Sequence, residues 1–248
     1  MVMSPFFAEL IGTMVMILLG DGVVANVVLS RTKGAGAGWM VITTAWALAV
    51  FAGVVIAGPF SGAHLNPAIT LAFAVSGQFA WGSVIPYVIA QLLGAAIGAV
   101  LVWLFYYDHF RATEQPTPKL GVFCTIPEIR HDGVNFLCEV IGTFVLVFVV
   151  FYISGASLGD ATTDLQVPIG LGSVGAIPVS FTVWVIGLSL GGTTGYAINP
   201  ARDFAPRLMH ALLPIEGKGD SQWSYAWIPV AGPVTGALVA TGLFLVFS

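Results

Sequence analysis

Six stretches of this chain are each long and apolar enough to form a helix that crosses a lipid bilayer. A spanning helix needs about 20 predominantly apolar residues. Six stretches meet that requirement, at residues 5–29, 39–58, 83–107, 134–154, 172–191 and 226–247. Ser4 before the first stretch is a favourable N-cap residue, and Pro5 suits the first helical position. The pattern predicts an all-α membrane protein.

The composition indicates that lipid is the solvent for most of this chain. Apolar residues make up 57% of the sequence and charged residues only 8%, whereas a typical soluble domain is about 25% charged. The net charge is −4. No run of lysine or arginine supplies the positive surface that nucleic acids require, so we predict no nucleic-acid partner.

The sequence indicates neither a removable leader nor a cofactor site. Residues 1–5 carry no basic residue, and the apolar stretch after them is too long for a signal peptide, so we expect the first helix to remain. Cys124 lies in the polar connecting segment 108–133 and Cys138 in an apolar stretch. We therefore expect two unpaired thiols and predict no metal or other cofactor.

Two further apolar segments are too short to cross a bilayer. They run from Asn66 to about Ser76 and from Asn199 to about Met209. A helix of about 11 residues rises only about 16 Å, half of a hydrocarbon core of about 30 Å. Because Asn is a strong N-cap residue and Pro is favoured directly after it, each segment is predicted to be a half-helix.

The chain repeats two motifs at nearly the same offset. A Glu-x-x-Gly-Thr motif begins at Glu9 and again at Glu139, an offset of 139 − 9 = 130 residues. An Asn-Pro-Ala motif recurs at an offset of 199 − 66 = 133 residues. Its two copies consist of Asn66, Pro67 and Ala68, and of Asn199, Pro200 and Ala201. Two signatures at one offset indicate an internal duplication.

The duplication divides a single domain, residues 1–248, into halves of about residues 1–107 and 134–248. Each half contains three spanning helices, with a half-helix between the second and the third. Because three is odd, the second half enters the membrane from the opposite side, which produces an inverted repeat. The two half-helices are therefore predicted to meet near the middle of the bilayer.

Two helix N-termini that face each other create a particular electrostatic environment. Each offers unpaired N–H groups and the positive end of a helix dipole, which repels cations and protonated water chains. The side-chain amides of Asn66 and Asn199 add donors for a passing oxygen. Irregular backbone at membrane depth is tolerated where it lines a water-filled cavity. This arrangement predicts a pore that excludes ions and protons.

The sequences around the two motifs resemble the paired signatures of the aquaporin superfamily. Residues 61–68 read Ser-Gly-Ala-His-Leu-Asn-Pro-Ala, and residues 195–203 read Gly-Tyr-Ala-Ile-Asn-Pro-Ala-Arg-Asp. The resemblance covers nearly the whole chain, from Glu9 to about Gly236. It implies the aquaporin fold of six transmembrane helices and two half-helices, a homotetramer, and a place in the plasma membrane with both termini cytoplasmic.

In this family four positions line the narrowest part of the pore, and the resemblance carries them to Trp46, Gly187, Tyr196 and Arg202. Water-selective members have His at the position of Gly187, so we expect glycine to open the ring. Trp46 and Tyr196 would form an apolar corner opposite the donors of Arg202. This corner suits the hydrocarbon and hydroxyl faces of glycerol, so the resemblance favours a passive glycerol and water channel.

Two residues near this constriction bear on the choice of solute. Asp203 resembles the residue of the glycerol branch, whereas Tyr196 stands where the familiar glycerol facilitator has Phe. Water, protonated lactic acid and dihydroxyacetone therefore remain alternative solutes beside glycerol, the predicted partner.

Other polar residues receive structural interpretations. The resemblance implies that Glu9 and Glu139 accept N–H bonds from the loops before the half-helices, with proton relay as the alternative. His64, two residues before Asn66, is predicted to line the cytoplasmic half of the pore, with a purely structural role as the alternative. The sequence assigns no role to Asp21, late in the first helix. The small-residue pairs Gly94/Gly98 and Gly232/Gly236 indicate close helix packing.

Two observations point to other interpretations. With cytoplasmic termini, six basic residues lie outside and the inner segment 155–170 holds only Asp160 and Asp164, against the positive-inside rule. The six are Arg31, Lys33, Arg111, Lys119, Arg130 and Lys218. Broken helices also occur in ion-coupled transporters, although beyond Glu9, Glu139 and Asp203 no membrane-depth group is predicted to bind a coupling ion. No constellation typical of an enzyme is apparent.

Overall fold

The computed structural model describes residues 2–159 and 166–248, which are mostly helical. Apolar sequences of sufficient length produce six helices able to cross a membrane. In chain order the α-helices are α1 (Pro5–Val28), α2 (Trp39–Ser61), α3 (Pro67–Val75), α4 (Val84–Phe105), α5 (Tyr107–Ala112), α6 (Pro116–Phe123), α7 (Asp132–Tyr152), α8 (Ile177–Leu190), α9 (Pro200–Leu212) and α10 (Ile228–Phe247). The spanning helices are α1, α2, α4, α7, α8 and α10, where the 3₁₀ turn Gly172–Ala176 extends α8 to a segment of 19 residues, Gly172–Leu190. These helices confirm the predicted fold class.

The half-helices are α3 and α9, and both begin at the proline of an Asn-Pro-Ala motif. The preceding asparagine caps each helix, since Asn66 Oδ1 accepts from the Ala68 N–H and Asn199 Oδ1 from the Ala201 N–H. The helix α3 has nine residues and α9 has 13, so neither has the length of a spanning helix. The second is longer than predicted because it continues to Leu212.

Glycines bring the first and third spanning helices of each half close together. A β-carbon on Gly94 in α4 would lie 2.2 Å from the backbone oxygen of Leu10 in α1. A β-carbon on Gly236 in α10 would lie 2.3 Å from the backbone oxygen of Val140 in α7. Only glycine permits these contacts, so α4 packs on α1 as α10 packs on α7. The predicted close packing is confirmed in both halves.

The connecting segment 108–133 is more ordered than its polar composition predicts. It holds most of α5 and all of α6, and it buries Phe110 against Phe123 with ring centroids 5.6 Å apart. Cys124, expected in a polar loop, is also buried. The expectation was wrong because a few apolar residues are enough to dock short helices on the rest of the fold.

The segment 155–170 contains a short hairpin rather than a helix. Strands β1 (Ala156–Gly159) and β2 (Gln166–Ile169) pair antiparallel, with Ala156 opposite Ile169. Asp160 and Asp164, the acidic residues of this segment, lie outside the described residues.

Candidate functional site

The two Asn-Pro-Ala motifs are joined by a reciprocal pair of hydrogen bonds. Asn66 Nδ2 donates to the backbone oxygen of Ile198 at 2.8 Å, and Asn199 Nδ2 donates to that of Leu65, also at 2.8 Å. Each bond thus connects one half of the chain with the loop of the other half. An amide nitrogen carries two hydrogens, so each asparagine retains one hydrogen beyond this contact.

The carboxylate of Glu9 holds the loop before the first motif. It accepts from the N–H groups of His64 at 2.9 Å and Leu65 at 2.7 Å. The hydroxyl of Ser61 and the amide of Gln91 donate to it as well, at 2.6 and 2.8 Å. Glu9 is fully buried, and these four donors satisfy a charge that burial would otherwise make costly.

Glu139 makes the equivalent contacts in the second half. Its carboxylate accepts from the N–H groups of Ala197 and Ile198, both at 3.0 Å, and from the hydroxyl of Thr194 at 2.7 Å. These two N–H groups come two residues and one residue before the motif, as in the first half. The repeated glutamate therefore has the same backbone partners in both halves.

The loops that these carboxylates hold have an unusual backbone. Ala63 and Leu65 have φ values of 51°, and their equivalents Tyr196 and Ile198 have values of 41° and 44°. Positive φ is uncommon outside glycine, costs about 1–3 kcal/mol per residue and persists only where surrounding contacts enforce it. The glutamate hydrogen bonds provide such contacts.

Two cavities meet at the predicted constriction. The central cavity, about 260 Å³, is lined by both asparagines and by His64. The vestibule, about 520 Å³, is lined by residues of α6 and of the segment that follows it. Trp46, Tyr196 and Arg202 border both cavities, so these three side chains form the boundary between them.

Gly187, which is predicted to open this boundary, makes room for the ring of Tyr196. A β-carbon at Gly187 would lie 2.9 Å from Cζ of Tyr196 and 3.0 Å from Cγ2 of Thr43. The tyrosine ring thus fills the space that the missing side chain leaves, and Gly187 borders neither cavity. Trp39 packs edge-on against Tyr196 at 5.8 Å and donates to the Gly187 backbone oxygen at 2.9 Å.

Arg202 lies against the face of an aromatic ring. Its Cζ is 4.2 Å from the ring centroid of Trp46, within the distance for a cation–π contact. Trp46 packs in turn on Gly20, where a β-carbon would lie 2.4 Å from the ring. The indole Nε1 is buried without a hydrogen-bond partner among the described residues. The constriction therefore combines apolar ring surface with N–H donors.

Asp21 is a further acidic group at membrane depth, beyond the predicted Glu9, Glu139 and Asp203. Predicted without a role, it is fully buried in α1, and its Oδ1 lies 3.6 Å from Arg202 Nη1. The constriction thus contains an acidic group as well as a basic one.

His64 lies in the loop before the half-helix α3, two residues before Asn66. Its ring is 4.7 Å from that of Phe79 and 5.1 Å from that of Tyr87, and its Nδ1 is 3.1 Å from the hydroxyl of Thr70. It borders the central cavity, as predicted for a pore-lining residue.

Asp203 borders neither cavity but holds the segment after α6 on α9. Its carboxylate pairs with Arg207 at 2.7 Å and accepts from the N–H and the hydroxyl of Thr125 at 2.8 and 2.6 Å. Arg207 also donates to the backbone oxygen of Thr125. All of these contacts are buried. Asp203 therefore has a supporting position, and no sequence motif identifies its partners Thr125 and Arg207.

Residues 2–244 match the profile of the family described as Major intrinsic protein. The chain belongs to the major intrinsic protein family. A Thermotoga maritima protein named "Probable glycerol uptake facilitator protein" is 52% identical over 242 residues, which cover 98% of each chain. The glycerol uptake facilitator protein of Streptococcus pneumoniae is 49% identical and covers 99% of this major intrinsic protein and 100% of its own length.

A solved structure has the same fold as this major intrinsic protein. The X-ray structure of the aquaglyceroporin from Plasmodium falciparum superimposes with a TM-score of 0.80 at 26% sequence identity, covering 96% of this chain and 93% of that one. Together with the six apolar helices, this similarity establishes an integral membrane protein of the aquaporin fold. Across residues 2–159 and 166–248, no cluster of three or more His, Cys, Asp or Glu side chains is placed to hold a metal ion.

Proposed function

We propose that this chain is a passive channel for glycerol, other small uncharged solutes and water, and that it excludes ions and protons. The observation that carries the proposal is the boundary between the two cavities. There the rings of Trp46 and Tyr196 stand beside the guanidinium of Arg202. A polyol can place its carbons on the rings and its hydroxyls on the donors, which replaces its hydration without a deep binding well.

The names of the relatives support glycerol as the solute. Two relatives of about half-identical sequence are named glycerol uptake facilitators, and they align over nearly the whole of this chain. The packing of Tyr196 also supports glycerol as the solute. Its ring lies against Gly187 and forms an aromatic wall at the constriction, a position that does not depend on the hydroxyl group.

Exclusion of protons and cations is assigned to the meeting point of α3 and α9. Their N-termini turn two positive dipole ends toward the same part of the central cavity. The second amide hydrogen of Asn66 and that of Asn199 are available to a passing oxygen. A water molecule that accepts a hydrogen bond from each asparagine is held in an orientation that interrupts proton relay along the water chain. In this proposal the asparagine motifs exclude charge, and the constriction selects solutes by shape.

The remaining site residues have supporting roles in this proposal. Pro67, Ala68, Pro200 and Ala201 form the first turns of the half-helices, and Glu9 and Glu139 hold the strained loops in the conformation that lines the cavity. His64 lines the lumen, and Asp203 fixes the vestibule wall. No role in a chemical reaction is assigned to any of them.

We place the protein in the plasma membrane with both termini in the cytoplasm, as a single domain of two inverted halves, residues 1–107 and 134–248. Family membership supports this arrangement and a homotetramer in which each chain contains its own pore. The exposed apolar residues of the spanning helices, such as Leu48, Ile85 and Val246, would face lipid or neighbouring subunits.

A stopped-flow measurement on proteoliposomes tests the proposal. After a hyperosmotic glycerol step, vesicles containing the protein are expected to shrink and then re-swell, whereas an impermeant sugar should give shrinkage alone. Shrinkage without re-swelling in glycerol would reject the polyol assignment and leave a water channel. The same assay with dihydroxyacetone or lactic acid at low pH would rank the alternative solutes.

The rival from another class is an ion-coupled transporter, which the burial of Asp21 makes worth testing. A channel is expected to give glycerol flux that is linear in concentration and unaffected when a protonophore removes the proton gradient. Saturable uptake that disappears with the gradient would replace the channel with a transporter.

A further inference from the structure

We propose that Asp21 is a positioning residue that compensates the charge of Arg202, so that the constriction carries no net charge. The inference rests on the proposed channel function and adds a determinant of selectivity to it. The geometry is direct, because Asp21 Oδ1 lies 3.6 Å from Arg202 Nη1. This distance is within the range of an ion pair and longer than that of a hydrogen bond.

The burial of the two side chains indicates which side of the guanidinium Asp21 occupies. The carboxylate of Asp21 is fully buried, and so is Arg202 Nη1, while the Arg202 side chain as a whole keeps 9% of its surface exposed. The exposed part must therefore belong to other atoms of Arg202. Since Arg202 borders both cavities, Asp21 lies behind the guanidinium and leaves its remaining donors toward the pore.

Neighbouring residues give Asp21 few alternatives to this partner. Neither carboxylate oxygen of Asp21 accepts a hydrogen bond from a residue in the described part of the chain. A buried carboxylate without hydrogen bonds is costly unless an opposite charge lies close to it. Arg202 is the cation that the structure places within ion-pair distance of it. The pair therefore accounts for a charge that helix α1 would not otherwise tolerate.

The neighbouring residue Gly20 completes the rear wall of the constriction. Because Gly20 lacks a side chain, the ring of Trp46 packs directly on α1, and Arg202 lies on this ring. The dipeptide Gly20-Asp21 thus supplies a surface for the indole and a counter-charge for the guanidinium. Both restrict where the guanidinium can lie.

Charge compensation matters because the same pore contains two helix N-termini. Their dipoles favour anions, and an uncompensated guanidinium would add a full positive charge to that potential. With Asp21 in place, the constriction distinguishes solutes by shape and hydrogen bonding, and the pore does not become an anion pathway. We expect its removal to admit small anions.

Nitrate flux tests this inference, because nitric acid is too strong to cross as a neutral molecule. Proteoliposomes with valinomycin are exposed to a potassium nitrate gradient and their re-swelling is recorded. Asp21→Asn keeps the shape of the side chain and removes its charge. Its nitrate rate is expected to exceed that of the wild type by about tenfold or more. Removing a unit counter-charge in a low-dielectric site changes the energy of an anion there by more than the amount that corresponds to a factor of ten in rate.

Thr13→Val is the matched control, because Thr13 is a buried polar residue of α1 whose hydroxyl has no hydrogen-bond partner within the described residues. Its nitrate rate should equal that of the wild type. The double variant Asp21→Asn/Arg202→Gln removes both charges and should return the nitrate rate to the wild-type level. A nitrate leak caused by loosened packing would persist in the double variant.

The outcomes separate this inference from the channel proposal. An Asp21→Asn protein with a wild-type nitrate rate, or a double variant that keeps the leak, overturns the role of Asp21. If Asp21→Asn does not fold, the double variant is expected to fold because it leaves no unpaired buried charge, and its failure would overturn the pairing. Wild-type vesicles that do not respond to glycerol would reject the glycerol proposal, while the nitrate comparison still decides on Asp21.

Discussion

Gly187 and Tyr196 share one space beside the pore, and the size of the first determines the position of the second. The tyrosine ring lies so close to the α-carbon of Gly187 that a single added methyl group would contact Cζ at 2.9 Å. The ring is the flexible partner in this contact, since the backbone of α8 is held by its helical hydrogen bonds. Any side chain at position 187 therefore moves the ring, and the pore boundary changes with it.

Gly187→Ala is expected to reduce glycerol permeability by about tenfold while water permeability falls less. The reason is overpacking, which costs about 1–3 kcal/mol when one methyl group is forced into a filled site, and here the ring can move only toward the cavities. Stopped-flow re-swelling in glycerol and shrinkage in sugar measure the two rates on the same vesicles.

Gly242→Ala in α10 is the control for that prediction, because a β-carbon there meets no atom within 4 Å. It should leave both rates unchanged. Equal losses of glycerol and water flux in Gly187→Ala would contradict the packing argument and indicate general damage to the fold.

Sequence patterns located the residues of the pore whose positions repeat or belong to a motif, and they missed those defined by distant contacts. Asn66 and Asn199 could be predicted because the repeated motif identifies them, and Arg202 because the family resemblance carries a constriction position to it. Asp21 could not, since its partner Arg202 is 202 − 21 = 181 residues away and the contact depends on how α1 approaches α9. The sequence could not predict how the space at Gly187 is used, because the ring of Tyr196 occupies it and the position of that ring depends on tertiary packing.

The strained loops and the glutamates that hold them form a unit at the scale of secondary-structure elements. Each loop contains two non-glycine residues with positive φ, and each is bonded to a buried carboxylate of the first helix in its half. The half-helix that follows begins directly after this loop. The position of each half-helix therefore depends on one side chain of a neighbouring spanning helix.

Glu139→Gln is expected to destabilise the protein by about 3 kcal/mol, because the amide nitrogen would face an N–H donor where the carboxylate oxygen accepts. For a chain of this size the melting temperature should fall by about 6–12 °C. Thermal unfolding in detergent measures the change. Glu114→Gln alters an exposed carboxyl group and should leave the melting temperature unchanged; a similar decrease in both variants would contradict the role assigned to Glu139.

Elements differ in how well sequence reasoning anticipates them. The half-helices were predictable because Asn followed by Pro is both a cap and a helix start, and because the segments are too short to span. The helices α5 and α6 were not, since they have six and eight residues and lack a long apolar repeat. The formation of α6 depends on docking to α1 and α9, and α5 contacts α4; local sequence does not encode these contacts.

At the scale of the whole molecule, three of the six basic residues predicted on the outer side of the membrane are engaged by the fold itself. Lys119 donates to the backbone oxygen of Glu216, Lys218 donates to that of Leu213 at 2.6 Å, and Arg130 pairs with Asp132. These contacts give the cations a structural use that is independent of the rule relating positive charge to the cytoplasmic side. The proposed orientation is therefore compatible with their distribution.

Cysteine labelling on intact cells tests that orientation. With a membrane-impermeant maleimide, Gln115→Cys before α6 should be labelled at once, whereas Ser154→Cys after α7 should be labelled only after permeabilisation. Both variants are made in a chain that carries Cys138→Ser, so that this native thiol is not labelled. Burial raises the pKa of the Cys124 thiol, which therefore stays protonated and unreactive. The reverse pattern would place the termini outside the cell.

The crossed bonds between Asn66 and Ile198, and between Asn199 and Leu65, have a consequence for how such a chain is made and how it arose. During synthesis, the first half reaches the membrane with the amide of Asn66 still lacking its partner, since the acceptor is translated 198 − 66 = 132 residues later. The first half can therefore be inserted into the membrane early, but its hydrogen bonds are completed only when the ribosome has translated most of the second half. An ancestral half-length chain could have made the same bonds only with a second, inverted copy of itself. Such a chain would have had to insert into the membrane in both orientations. After two copies were fused into one chain, a single orientation of that chain was sufficient.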